Sequence, residues 1–100
     1  MEKRLGIIAI VVTGKSHITE INELISESAE SIIARQGIPM PQKNLSFISL
    51  IIEAPMNSIN TLTGKLGRIP GVEVKTIVTK KGDELTSPLV HEKRNQKYQK

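Results

Sequence analysis

From Arg4 to Val12 the chain is almost continuously apolar. In an extended chain successive side chains alternate in direction. Leu5, Ile7, Ala9 and Val11 then share one face, and Gly6, Ile8, Ile10 and Val12 the other. Apolar residues on both faces predict a central strand covered on both sides. Thr13-Gly14-Lys15 breaks it. Ser16 is the predicted N-cap of a helix, with Glu20 and Glu23 near its positive end. Ile18, Ile21, Leu24, Ile25 and Ser28 fall on one helical stripe, and Glu20, Glu23, Glu27 and Glu30 on a solvated face.

Residues 29–38 admit two readings. Ala29, Ile32 and Ile33 extend the helix towards a Gly37 cap, or residues 31–36 form a short strand. Pro39 to Lys43 reads as a loop. Leu45 to Ala54 is the second strong strand, with Leu45, Phe47, Ser49 and Ile51 alternating with Ser46, Ile48, Leu50 and Ile52. Pro55 ends it. Asn57 or Ser58 is the predicted cap of a second helix, whose stripe is Ile59, Leu62, Leu66 and Ile69. Gly64 lies inside this helix at a cost of roughly 1 kcal/mol against Ala, which close packing would justify. Gly67 ends the helix and Pro70-Gly71 turns the chain into a last strand, Val72 to Thr79, with Val72, Val74 and Val78 on one face.

Two strand–helix–strand passes predict an α+β chain of β-α-β-β-α-β order, the ferredoxin-like pattern: a four-stranded antiparallel sheet with two helices on one face. The first and third strands are central in that layout, and they are the two with apolar residues on both sides. The uncovered side predicts a homo-oligomer, dimer or tetramer, formed through the sheet face. The pattern does not decide which side of the sheet meets the helices.

Composition narrows the chemistry. One hundred residues make one domain. Phe47 and Tyr98 are the aromatics, and Cys is absent, which excludes disulfides, Cys-type zinc sites and iron–sulfur ligation. The apolar run at 5–12 is too short to span a bilayer, and no signal peptide is seen, so a cytoplasmic protein with no membrane contact is expected. The net charge of +4 sits mostly at the end, where residues 80–100 hold six Lys or Arg and three acids. The expected organisation is a near-neutral domain over 1–80 and a basic, solvated tail over 81–100.

Gly37-Ile38-Pro39, the strand Asn44 to Glu53, the run Ile59-Asn60-Thr61-Leu62-Thr63-Gly64-Lys65-Leu66-Gly67 and then Pro70-Gly71-Val72-Glu73-Val74-Lys75 together resemble a small bacterial family, the iron-only hydrogenase system regulators. The resemblance covers residues 3–79. It implies an ACT-like fold, related to the sensing domain of nickel-responsive CopG-type regulators, and makes residues near 31–37 the second strand. The nickel ligands of those repressors do not carry over, because this chain has only His17 and His91 and no Cys. The first strand begins close to Met1, so no ribbon–helix–helix DNA-binding arm is expected.

Gly14-Lys15-Ser16 follows a strand and opens a helix, as in a phosphate-binding loop, but the full motif needs Gly where this chain has Ala9. Free N–H groups at a helix start can still hold a carboxylate or phosphate. ACT-like domains bind amino acids near this junction, so the resemblance makes Gly14, Lys15, Ser16 and His17 the candidate ligand-binding residues. The competing reading is an ordinary turn with a surface His17. Gly64, Lys65, Gly67 and Gly71 are motif or packing residues, with Gly64 and Lys65 candidates for the edge of a pocket. Glu53 and Glu73 form an acid–base pair only if the fold joins them. No metal, cofactor or catalytic residue is expected. The favoured function is a regulatory, ligand-sensing oligomer with a small-molecule effector such as an amino acid. The alternatives are a nucleic-acid-binding module, poor in sheet aromatics, and a small isomerase-like enzyme.

Overall fold

The computed structural model describes residues 2–79. The predicted basic tail, residues 81–100, lies outside them. The elements run β1 (Lys3–Thr13), α1 (Ile18–Glu27), β2 (Ile32–Met40), β3 (Leu45–Pro55), α2 (Met56–Gly67) and β4 (Val72–Val78), with short 3-10 turns at Ala29–Ser31 and Pro41–Lys43. The four strands form one antiparallel sheet in the order β2-β3-β1-β4. This is the ferredoxin-like β-α-β-β-α-β pattern, and the two doubly apolar strands, β1 and β3, are its centre.

The register decides which side of the sheet meets the helices. Ile8, Ile10 and Val12 of β1 stand opposite Leu50, Ile48 and Ser46 of β3. Ile8, Ile10, Val12, Ile48, Leu50 and Ile52 are all buried, together with Ile21 and Ile25 of α1 and Ile59, Leu62 and Leu66 of α2. These even-numbered strand positions pack under the helices. The odd-numbered ones, Ile7, Val11, Phe47 and Ile51 among them, belong to the other side. Burying an aliphatic side chain of this size is worth about 1.5–3 kcal/mol, so this face of Ile, Leu and Val carries the fold.

Three boundaries differ from the sequence pattern, and the segment with two readings, residues 29–38, takes the strand that the family resemblance implies. Helix α1 starts at Ile18 with His17 at its N-cap and without a side-chain cap bond, so Ser16 does not cap it. The chain between 29 and 38 leaves the helix at Glu27 and pairs with β3 from Ile32, because β3 offers a whole strand edge. Pro39 and Met40 belong to β2 instead of a loop, since an edge strand tolerates a residue with no N–H. Helix α2 begins at Met56 with Pro55 as its N-cap, which puts Asn57 and Ser58 in its first turn, not at its cap.

Candidate functional site

The β1–α1 junction is built as a tied turn. Gly14 holds φ +82, in the region that favours glycine. Its N–H donates to the Asn44 carbonyl at 2.9 Å, and the Thr13 N–H donates to the Gly71 carbonyl at 2.8 Å. The Ile18 N–H points back to the Lys15 carbonyl at 3.4 Å. Lys15 and Ser16 are exposed. His17 Nδ1 lies 3.2 Å from Glu20 Oε1. The Gly14 N–H is thus already used, and a carboxylate stands beside His17. Both features weaken this junction as a cradle for a bare anion.

The other motif residues separate. Gly71 has φ +80, and a Cβ there would come 3.0 Å from the Thr13 carbonyl oxygen, so the turn needs glycine for conformation and for space. Gly64 and Gly67 have nothing within 4 Å of the position a Cβ would take, so close packing does not explain either. Glu53 stands opposite Leu5 and Glu73 opposite Val11 along β1, about 20 Å apart at ~3.4 Å per residue, so they form no acid–base pair.

Lys65 lines a groove of about 310 Å³ between the helices, with Leu24, Glu27 and Ser28 of the α1 end and Asn57, Ser58, Thr61 and Leu62 of α2. Helix α1 follows β1 and α2 follows the antiparallel β3, so the helices run in opposite senses. The last turn of α1 therefore meets the first turn of α2. A helix end carries a partial charge, negative at the C-terminus and positive at the N-terminus. Three N–H groups open α2 without a side-chain cap bond. The Thr61 hydroxyl donates to the Asn57 carbonyl at 2.8 Å. The lining thus combines the Glu27 carboxylate from the end of α1, the first-turn residues Asn57 and Ser58 of α2, two leucines, and the Lys65 ammonium further along α2.

Sequence reading missed Glu27, Ser28, Asn57, Ser58 and Thr61 because no local motif joins them. The β-α-β-β-α-β order held the signal, since it brings the end of one helix beside the start of the other. Among the described residues no three His, Cys, Asp or Glu side chains gather as metal ligands would. The side-chain pairs there are His17–Glu20, Arg35–Asn22 (2.8 Å) and Thr63–Thr76 (3.0 Å), and none joins a nucleophile to a base. No helix among the described residues is long and apolar enough to cross a membrane.

Comparison with known proteins agrees with this architecture. No curated protein matches the chain. Among solved structures it is similar to the uncharacterized protein TM1266 from Thermotoga maritima, at 39% identity and a TM-score of 0.76, over 79% of this chain and 100% of that one. The family model "TM1266-like: Iron-only hydrogenase system regulator, putative" matches residues 4–76. The span takes in the sheet and both helices, and the chain belongs to this TM1266-like family.

Proposed function

We propose that this protein is a regulator that works by binding a small zwitterionic effector of the α-amino-acid class in the groove between α1 and α2. The family description associates its members with an iron-only hydrogenase system, and we assign the same regulatory setting to this chain. The observation that carries the reading is the lining of the groove. Glu27 suits an ammonium group, the open N–H groups and the Ser58 hydroxyl at the start of α2 suit a carboxylate, and Leu24 and Leu62 suit an apolar side chain. Lys65 then selects among effectors by the charge of their far end.

Binding rather than catalysis fits the rest of the described chain. It has no buried polar or charged residue to serve as a shielded acid or base. The far side of the sheet bears Phe47, but Glu53 and Glu73 lie there alongside Lys3 and Lys75. That mixture does not make the basic platform that single-stranded nucleic acid requires.

Titration calorimetry against the common amino acids tests the proposal, with Glu27→Gln and Ser58→Ala as variants. At least one amino acid should bind, and each variant should weaken it by roughly ten- to a hundredfold, since hydrogen bonds to charged groups are worth about 1.5–3 kcal/mol. Absence of heat with all of them, together with no change in melting temperature, would refute it.

A further inference from the structure

The side of the sheet turned away from the helices is organised in rows. Ile7 stands opposite Ile51 and Val11 opposite Phe47, and the small pair Ala9–Ser49 lies between these two rows of large side chains. The small pair forms the floor of a shallow depression of about 160 Å³ on this face, walled by Phe47 and Ile38. Large side chains here stay in water: Ile77 is 72% exposed, Ile38 50%, Ile7 44% and Phe47 39%. Singly such residues are ordinary, but a contiguous patch of them marks an interaction surface.

We propose that this face packs against the same face of a second copy of the chain, the large rows of each copy entering the small row of the other. Size supports a second copy. Four strands at ~4.8 Å spacing and nine or ten residues at ~3.4 Å give roughly 600 Å² per copy, which places two copies at the lower edge of the range for stable interfaces. Shape supports it too, since a twofold interface needs one surface to hold both knob and hole, and the alternation of large and small rows supplies them. Charge argues in the same direction. Glu73 and Lys75 lie on the edge strand β4 and Glu53 near the end of β3, so the rim carries both signs around an apolar centre. A strongly acidic or basic partner finds no matching field there, whereas a rotated copy sets Glu against Lys. The effector groove lies on the opposite side of the sheet, and this interface does not depend on it.

The test is the mass of the full chain in solution, by light scattering and sedimentation at micromolar concentrations. Wild type should run at twice the 11.0 kDa chain mass, or a higher multiple. Phe47→Asp and Ile77→Lys should each at least halve that mass, while Glu23→Lys, on the solvated face of α1, should leave it unchanged. Circular dichroism reports whether each variant is folded. Should Phe47→Asp fail to fold, Ile77→Lys decides, because Ile77 is mostly exposed in one copy and a lysine there keeps its charge in water. A wild-type monomer at these concentrations overturns the proposal. So does a folded Ile77→Lys variant that keeps the wild-type mass.

Discussion

The Pro70-Gly71 turn separates two glycines that look alike in the sequence and behave oppositely in the structure. Replacing Gly71 by Ala forces a side chain into φ +80, and its Cβ comes 3.0 Å from the Thr13 carbonyl oxygen. A left-handed conformation costs a non-glycine residue roughly 1–2 kcal/mol. Relieving the contact moves the Gly71 carbonyl, which accepts the Thr13 N–H at 2.8 Å, and weakening that bond adds about 1 kcal/mol. The expected loss is about 2–3 kcal/mol, which lowers the melting temperature by roughly 10–20 °C in a domain of this size. Gly64→Ala meets open space in a helix interior and should gain up to about 1 kcal/mol. Urea denaturation at one fixed protein concentration measures both, because an associating protein shifts its midpoint with concentration. The midpoints should move in opposite directions with the slopes unchanged. Equal shifts, or a neutral Gly71→Ala, would refute the reasoning.

Leu50→Ala empties a fully buried position in β3 and should cost about 2–5 kcal/mol in the same assay. Ile10→Asp places a carboxylate at a site that is 1% exposed, and circular dichroism should show an unfolded chain. Thr76→Val removes the hydroxyl pair that joins β4 to α2 through Thr63 and should cost about 1 kcal/mol; a neutral result would mean the pair does not form in solution.

The fold was legible wherever the apolar period was strong. The two faces of β1 and β3 and the stripes of α1 and α2 alternate cleanly, and each of those elements exists in the region of its pattern, although Ser28 and Ile69 at the ends of the two stripes fall just past α1 and α2. Strand β2 was ambiguous because nearly all of it is exposed: its sequence carries no core signal, and pairing with β3 holds it in place. Both helix starts were misplaced for one reason. Ser16, Asn57 and Ser58 are good caps by type, but no cap bond is made, and helix entry is set by the preceding turns instead. Of the candidate site, Lys65 at a pocket edge was visible in the motif. Glu27 looked like one more solvated acid, because only the third dimension brings it to the start of α2.

Amide chemical-shift mapping during titration with the tightest-binding amino acid tests the central claim most directly. The shifts should concentrate at Leu24–Ser28 and Asn57–Lys65, and in Glu27→Gln the same shifts should need at least about ten times more ligand to reach their midpoint. Saturable shifts confined to Gly14–His17 would place the effector at the β1–α1 junction and contradict the assignment of the groove.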